Sequence, residues 1–251
     1  MLRGRLWGTI DLVVPRNGEA YSVMPDGAKI YFDFFDPAVV TETWLYEIYF
    51  LGHDLSKWFI LDVGAYIGDT ALYYAKRGAF VVAVEPLPSH YEDMLKNIEL
   101  NPDLKSKIIP INVAIGSEDG YAEFGYSRSV DCGASMYYYD KHRVRVRLVK
   151  LSTLIKELNA KGIDLNKFKF KALKMDCEGC EYDVILNDYE HVKLFDEVYF
   201  EYHAFITRIP VEMLLKKLSK DFECKIVSDE DFYKWHRYSR KLLGLVKCVK
   251  V

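Results

Sequence analysis

The sequence predicts an α/β fold: a doubly wound, mostly parallel sheet with a small N-terminal β element and an antiparallel pair of C-terminal strands. From residue 58 onward, short apolar runs alternate with amphipathic, helix-like segments. This alternation indicates a parallel sheet that is covered on both faces. The chain has 251 residues, of which 50% are hydrophobic and 15% aromatic. That is enough apolar material for one large core in a single compact domain.

The first fifty residues precede the alternating pattern. Turn signals at Asn17-Gly18 and Asp26-Gly27 separate short strand-like segments. The apolar and aromatic stretch 38–51 predicts a helix. We expect residues 1–50 to form an extension that packs on the core and residues 51–251 to form the main domain.

The alternating region fixes the order of the remaining elements. The predicted strands are Trp58–Val63, Phe80–Val84, Lys107–Ile115, Tyr121–Tyr126, Arg143–Val149, Phe170–Met175 and Glu197–His203. The predicted helices are Thr70–Lys76, Ser89–Leu100, Ser152–Asn159, a segment from about Glu181, and Pro210–Leu218. Two further strands, Cys224–Ser228 and Leu242–Val249, should pair antiparallel.

Composition excludes several classes of protein. The net charge is −3, which does not indicate a nucleic-acid or membrane-surface protein. Neither a signal peptide nor a membrane span is recognisable, so we expect a cytoplasmic protein without membrane contact. Five cysteines do not form a secreted disulfide pattern. Glutamine is absent, and Lys, Glu and Tyr are abundant, a bias that is typical of thermophile proteins.

Polar side chains stand at the carboxyl ends of the predicted strands, where open α/β sheets bind ligands. Buried strands do not end in carboxylates unless something pairs with them. The set as a whole therefore predicts a binding site along one edge of the sheet. Its members are Asp62, Glu85, Asn112, Asp176, Glu178, Glu201 and His203.

The turn after the first main strand contains Gly64 and Gly68, which allow the backbone to approach a ligand closely. The spacing is not that of a dinucleotide-binding turn, and no phosphate-binding lysine stands nearby, so ATP is disfavoured. Glu85, at the end of the next strand, can accept both hydroxyls of an adenosine ribose. Acidic groups at both strand ends suit a cofactor with a sulfonium and an ammonium group.

The stretch Leu61–Thr70 resembles the first motif of class I S-adenosylmethionine methyltransferases. The stretch Leu173–Glu181 resembles the second signature of the FkbM methyltransferase family: lysine, apolar, Asp, any, Glu-Gly, any, Glu. Asn112–Gly116 and Val146–Leu154 are also similar to that family. The resemblance extends from about Trp44 to His203. Tyr66 departs from it, because the family usually has Asn there.

The resemblance implies a Rossmann-like fold, S-adenosylmethionine as cofactor, and O-methylation of a hydroxyl on a small molecule or glycan. It places Asp62 near the cofactor's amino group, Glu85 at the ribose, and Asn112 and Val113 beside the adenine. The implied cofactor-binding residues are Asp62, Gly64, Ala65, Tyr66, Gly68, Glu85, Pro86, Asn112, Val113 and Ala114. The implied catalytic residues, which face the acceptor, are Asp176, Glu178, Glu201 and His203.

An alcohol acceptor must lose a proton, and any of these four residues is a candidate base. Glu201 and His203 are two positions apart on a strand and therefore share a face. Together with Asp176 they are a candidate site for a divalent cation that lowers the hydroxyl pKa. A metal-free hydrogen-bond network is the alternative and the more frequent arrangement.

Two other motifs support rival functions. Cys177 and Cys180 form a C-x-x-C at a strand-to-helix turn, which suits a thiol redox protein, although buried small residues or a stabilising disulfide is the favoured interpretation. The strand in residues 141–150 alternates basic and apolar residues and would serve an RNA methyltransferase. A charge-blunted edge strand is the more ordinary explanation of that pattern.

The polar loop before the basic strand is the candidate substrate lid. It contains three consecutive tyrosines, Tyr137–Tyr139, which can stack on a sugar or a base. The candidate substrate residues are Ser135, Tyr137 and Arg143. A protein that binds cofactor without catalysis is the remaining alternative.

Overall fold

The computed structural model describes residues 10–16, 18–32, 37–46, 49–50, 54–126, 135–137, 142–228, 230, 232–233 and 237–251. Three sheets are present in this part of the chain, and the largest is the predicted doubly wound sheet. The strands are β1 (Asp11–Val13), β2 (Tyr21–Val23), β3 (Lys29–Ile30), β4 (Trp58–Val63), β5 (Phe80–Val84), β6 (Ile108–Ile111), β7 (Ala114–Ile115), β8 (Gly120–Tyr126), β9 (His142–Val149), β10 (Phe170–Met175), β11 (Glu197–His203), β12 (Phe222–Ile226) and β13 (Leu243–Lys250).

Eight α-helices connect these strands within the described residues. They are α1 (Pro37–Val40), α2 (Asp69–Lys76), α3 (Pro88–Glu99), α4 (Leu151–Ala160), α5 (Cys180–Asn187), α6 (Tyr189–Val192), α7 (Ala204–Thr207) and α8 (Val211–Leu218). The predicted helices of the alternating region are confirmed, with bounds that differ by one residue or two. Among the described residues, no helix combines the length and apolarity needed to cross a membrane.

The large sheet has seven strands in the order β12-β13-β11-β10-β4-β5-β6. Strands β6, β5, β4, β10 and β11 pair in parallel, and β13 pairs antiparallel with both β11 and β12. The strand order reverses between β4 and β10. In such sheets the ligand binds at the carboxyl ends of the strands on either side of this reversal.

Each face of the sheet carries its own core, because successive strand residues point to opposite faces. On β4, Phe59, Leu61 and Val63 join the core that includes α4, α5 and α8, whereas Ile60 joins the core that includes α2 and α3. All six residues of β4 are buried. This explains why the strand is a continuous apolar run interrupted only by Asp62.

The predicted strand 107–115 is wrong as a single element. The structure divides it into β6, an edge strand of the large sheet, and β7, which pairs in parallel with β9 in a second three-stranded sheet. Pro110 lies in β6, where an edge position tolerates its missing N–H group. The chain changes sheets at Asn112 and Val113, which places this crossing beside the end of β5.

The predicted helix 38–51 is also only partly correct. It contains α1 and a π-helical segment, Thr41–Tyr46, followed by a turn at residues 49–50, and residues 47, 48 and 51 lie outside the described residues. In this π-helical segment, the side chains of Thr43 and Trp44 form hydrogen bonds with residues that are distant in the sequence. Thr43 Oγ1 donates to Asp69 Oδ2 at 2.8 Å, and Trp44 Nε1 donates to Asp26 Oδ2 at 3.0 Å.

The N-terminal strands β1–β3 form the predicted small β element. The predicted turn at Asp26-Gly27 is present, and Asn17 of the other turn lies outside the described residues. Two asparagine side chains, one in α3 and one just after it, form hydrogen bonds with the backbone at β3, as a neighbouring strand would. Asn97 Oδ1 accepts from Tyr31 N at 2.6 Å, and Asn101 bonds both backbone groups of Lys29, at 2.9 and 2.7 Å. The domain boundary at residue 50 stays a prediction.

Candidate active site

The glycine turn after β4 lies directly on the backbone that follows β10. A Cβ atom on Gly64 would stand 1.7 Å from the carbonyl oxygen of Asp176, so only glycine fits there. The amides of Gly64 and Ala65 both donate to Val84 O at 3.0 Å, which ties the turn to the end of β5. Gly68 N donates to Ala65 O at 2.7 Å and closes the turn before α2 begins.

A cavity opens beside this turn, between the ends of β4, β5 and β10. Its lining consists of Val63, Gly64, Tyr66, Val84, Glu85, Pro86, His90, Val113, Ala114, Ile115, Phe124, Asp176, Cys177, Glu178 and Cys180. Six of the ten predicted cofactor-binding residues line it, namely Gly64, Tyr66, Glu85, Pro86, Val113 and Ala114. Residues 113–115, which follow the point where the chain changes sheets, therefore form one wall.

Glu85 is oriented toward the glycine turn. Its Oε2 atom accepts from Tyr66 N at 3.0 Å, and its Oε1 atom accepts from Leu87 N at 2.9 Å. His90 Nδ1 stands 3.6 Å from Oε1. Each carboxylate oxygen can accept two hydrogen bonds, and among the described residues each accepts one backbone N–H. Asn112 Nδ2 donates to Glu85 O at 2.8 Å and to Pro86 O at 3.0 Å, and thereby holds the end of β5 rather than lining the cavity.

Asp62 does not line the cavity, and its place near the cofactor's amino group stays a prediction. The side chain is fully buried and lies 3.0 Å from Lys174 Nζ, and Thr70 Oγ1 donates to it at 2.6 Å. Lys174 Nζ also donates to Gly64 O at 2.9 Å. The pair therefore supports the glycine turn from behind. Ala65 and Gly68 likewise shape the turn without lining the cavity.

Charge states explain why this buried pair is stable. Burial lowers the pKa of Lys174, but the negative charges of Asp62 and Asp176 outweigh it, so its pKa lies above the ordinary value. Burial raises the pKa of Asp62 even though Lys174 opposes this. An ammonium shared between a carboxylate and a carbonyl has most of its hydrogen-bonding capacity satisfied, which buried charges require.

The acidic side of the cavity is assembled from β10, β11 and the N-terminal segment. Asp176 and Glu178 line the cavity, and Glu201 and His203 lie behind them, 7% and 3% exposed. His203 Nε2 stands 3.6 Å from Glu178 Oε2 and 4.0 Å from Asp176 Oδ1. Tyr49 Oη donates to Asp176 Oδ2 at 2.9 Å. The four predicted catalytic residues are thus brought together.

Burial and neighbouring charges shift the pKa values of Asp176, Glu201 and His203 in different directions. Burial and the negative charge of Asp176 raise the pKa of Glu201 well above its usual range. Burial acts to raise the pKa of Asp176 as well, but Lys174 and His203 outweigh it, and the pKa is lowered. Burial lowers the pKa of His203, whereas Glu178 and Glu181 raise it, and the net pKa lies well above the ordinary value. These shifts favour the protonated forms of Glu201 and His203 and the carboxylate form of Asp176.

Glu181 positions the imidazole. Its Oε1 atom accepts from His203 N at 2.9 Å and lies 3.1 Å from His203 Nδ1, and its Oε2 atom accepts from Gly179 N at 3.0 Å. His203 Nε2 therefore points toward Asp176 and Glu178. One ligand atom each from Asp176, Glu201 and His203 lies within 4.8 Å of the others. This donor set, with a carboxylate behind the histidine, fits a divalent cation.

The candidate substrate residues separate into two groups. Ser135 Oγ donates to Glu178 O at 2.6 Å, and Tyr137 Oη donates to Asp183 Oδ2 at 2.8 Å, so both contact the turn that carries Glu178. Tyr138 and Tyr139 lie outside the described residues. Arg143 bonds Glu123 Oε2 at 3.0 Å on the surface of the second sheet.

The basic strand differs from the expectation of an edge strand. It is β9, the central strand of the sheet β7-β9-β8. Its arginines have partners within the protein: Arg145 lies over the Tyr121 ring at 4.3 Å, and Arg147 pairs with Glu157. A central position and these partners explain the alternation without an RNA ligand.

Three residues that hold the site together were not predicted from the sequence. Tyr49, Lys174 and Glu181 each join elements that are far apart in the sequence. Lys174 and Glu181 do belong to the FkbM-like signature, so their presence in that motif was the available signal. Tyr49 had none, because its partner Asp176 is 127 positions away.

The sheet order, the antiparallel β13 and the cavity beside the reversal define a class I, Rossmann-like methyltransferase fold. The family model "Methyltransferase FkbM domain" matches residues 62–242. The chain therefore belongs to the FkbM-domain methyltransferases. No match was found among curated proteins.

Several solved structures are similar to this chain. The FkbM methyltransferase from Methylobacillus flagellatus KT shares 12% identity at a TM-score of 0.48, over 75% of this chain and 42% of its own. This chain thus spans less than half the length of that relative. The fibrillarin/Nop5p complex shares 15% identity at a TM-score of 0.49 over 96% and 97% of the two chains. An O-methyltransferase from Bacillus cereus in complex with SAH shares 11% at 0.43, over 77% and 74%.

Proposed function

We propose that the chain transfers a methyl group from S-adenosylmethionine to a hydroxyl of a small molecule or sugar. One observation carries the proposal: the cavity at the strand reversal is bounded by the glycine turn and by the carboxylate of Glu85, which backbone amides hold beside that turn. A ribose presents two adjacent hydroxyls to such a carboxylate. S-Adenosylmethionine supplies the methyl group on a sulfonium.

The acceptor occupies the acidic side of the cavity in this proposal. Methyl transfer is an in-line displacement, and much of its rate comes from holding two reactants in alignment. Asp176 and Glu178 line the cavity and are the two groups placed to take the hydroxyl proton. The raised pKa values of Glu201 and His203 favour their protonated forms, which are poor proton acceptors. Both therefore act as positioning residues.

Titration calorimetry with S-adenosylmethionine and S-adenosylhomocysteine tests the cofactor half of the proposal. We expect both to bind at one site per chain.

Formation of S-adenosylhomocysteine in the presence of polyhydroxylated acceptors then tests the reaction. Glu178→Gln and Asp176→Asn should retain cofactor binding and lower turnover by a factor of about 10² or more. Turnover on amines and on no hydroxyl compound would contradict O-methylation, and turnover on RNA alone would contradict a small-molecule or sugar acceptor.

A divalent cation at Asp176, Glu201 and His203 is a second part of the proposal, supported by their convergence within 4.8 Å. Glu201 and His203 would release their protons when the cation binds, so that two carboxylates and one imidazole hold it, and it would lower the pKa of a bound hydroxyl. Calorimetry with Mn²⁺ should give one site that is lost in Glu201→Gln and kept in Glu212→Gln, a change on the outer helix α8. Absence of saturable Mn²⁺ binding in the wild-type protein would leave the metal-free network.

A further inference from the structure

The turn between β10 and α5 is closed by a disulfide between Cys177 and Cys180. Both cysteines line the cavity, and so does Glu178 between them. Cys177 is partly exposed, whereas Cys180 is 2% exposed and belongs to the core. The disulfide is therefore part of the cavity wall, and Cys177 is the more exposed of its two residues.

The turn has a backbone that a free chain would not favour. Glu178 has φ 53° and Gly179 has φ 113°, so two successive residues lie in the left-handed half of conformational space. Glu178 and Tyr66 (φ 49°) are two of the four non-glycine residues with positive φ among the described residues, and both line the cavity. Such conformations persist where surrounding bonds enforce them.

Contacts connect this turn to the glycine turn after β4 and to the Tyr137 side chain. The Asp176 carbonyl, one residue before Cys177, fills the space where Gly64 lacks a side chain. Tyr137 packs so closely on Gly179 that a Cβ atom there would stand 2.7 Å from its ring. A change in the turn would therefore be transmitted to the glycine turn on one side and to the residues around Tyr137 on the other.

We propose that Cys177–Cys180 is a redox-modification site, and that its oxidised form sets the shape of the cavity for the cofactor. This inference rests on the proposed function, since the ligand it controls is the methyl-donor cofactor. The reductant is a dithiol. One of its thiolates attacks Cys177 Sγ from the cavity, the S–S bond breaks, and Cys180 leaves as a thiolate that takes up a proton. The second thiol of the reductant then displaces Cys177, which gains a proton, and the reductant becomes a disulfide.

Two consequences follow from this geometry. A ligand in the cavity covers Cys177, so it should slow reduction. Any difference in ligand affinity between the oxidised and reduced proteins must also appear, by the same factor, as a shift of the dithiol–disulfide equilibrium when the ligand is bound.

The chain contains a matched control. Cys224 and Cys248 form a second disulfide between β12 and β13, the last two strands of the sheet, and neither lines the cavity. The test uses two variants in a Cys132→Ala background. Cys224→Ala/Cys248→Ala leaves the cavity disulfide, and Cys177→Ala/Cys180→Ala leaves the strand disulfide.

Each variant is equilibrated with oxidised and reduced dithiothreitol, alkylated for thiol counting by mass, and titrated with S-adenosylhomocysteine in both forms. In the variant that keeps the cavity disulfide, we expect reduction to weaken S-adenosylhomocysteine binding at least tenfold. Saturating ligand should then shift the midpoint of reduction by about 30 mV, the two-electron equivalent of tenfold. With only the strand disulfide, neither quantity should change. Circular dichroism on the same samples checks that the reduced protein is folded.

The outcomes are distinguishable. Equal affinity in the oxidised and reduced forms, within twofold, overturns the redox inference and leaves the proposed function standing. An equal response from the strand disulfide also overturns it, because the effect would then be general destabilisation. Absence of S-adenosylhomocysteine binding in every form, wild type included, overturns the proposed function and the inference with it.

Discussion

The two halves of the cavity are built in different ways. The cofactor half consists of a glycine turn and Glu85, joined by backbone amides of the turn that donate to the end of β5. The acidic half consists of Asp176, Glu201 and His203, whose charges depend on groups from several elements. The difference teaches that the first half depends on backbone hydrogen bonds and close backbone packing between adjacent strand ends, whereas the second depends on the electrostatics of the whole fold.

Lys174 joins the two halves, and its removal should have the largest effect. Lys174→Met leaves Asp62 as an uncompensated buried charge and Gly64 O without its donor. We expect the free energy of unfolding to fall by about 3–5 kcal/mol. Lys225→Met, which removes an exposed ion pair with Glu223, should cost under about 1 kcal/mol. Urea denaturation measures both.

The double variant Asp62→Leu/Lys174→Met sharpens this result. If the loss comes from a stranded charge, removing both charges should recover at least half of it. A double variant as unstable as Lys174→Met alone would show that the contact with Gly64 O, and not the charge of Asp62, is what the fold needs.

Asp69, at the start of α2, should make stability depend on pH. Burial raises its pKa from 3.8 to about 7, with Thr43 and Lys174 opposing and Asp62 reinforcing the shift. The folded state therefore binds this proton more tightly than the unfolded state. Its contribution to stability is fully present below about pH 4 and is lost as the pH rises through about 7. Asp69→Asn should remove this loss, a gain of up to roughly 4 kcal/mol at pH 8 relative to pH 4.

An exposed carboxylate provides a control of opposite sign. The Lys150 amide and the Thr153 hydroxyl lower the pKa of Asp119. Its contribution is present at neutral pH and is lost as the pH falls. The two Asn variants should therefore change the pH dependence of the free energy of unfolding in opposite directions. Parallel changes would contradict the assigned burial of Asp69.

Tyr66 tests the cofactor half alone, with the smallest expected effect. Asn tolerates the left-handed conformation that Tyr66 adopts, whereas a β-branched residue does not. Tyr66→Asn should keep the stability within about 1 kcal/mol, because the relief of backbone strain offsets the lost ring contact with His90. Tyr66→Val should cost more, about 1–3 kcal/mol. Thermal melting compares the two variants, and equal stabilities would indicate that backbone strain at residue 66 is not significant.

The sequence was informative where local patterns determine structure. The apolar runs predicted the strands of the large sheet, and the clustering of polar groups at their ends predicted the cavity. It could not predict that Asp62 and Glu85, at the ends of adjacent strands, have opposite surroundings. That difference depends on Lys174 reaching Asp62 from the neighbouring strand β10. The split of 107–115 was missed for the same reason, since β7 pairs with β9, which is not the next strand in the sequence.

The most direct test of the account is the affinity of Glu85→Gln for S-adenosylhomocysteine, measured by calorimetry beside wild type and Glu92→Gln, a change at an exposed position of α3. If Glu85 receives the ribose hydroxyls, the dissociation constant should rise by at least tenfold in Glu85→Gln, the loss of about one charge-assisted hydrogen bond. Glu92→Gln should match wild type. An unchanged affinity in Glu85→Gln, with the fold intact, would place the cofactor elsewhere and contradict the central claim.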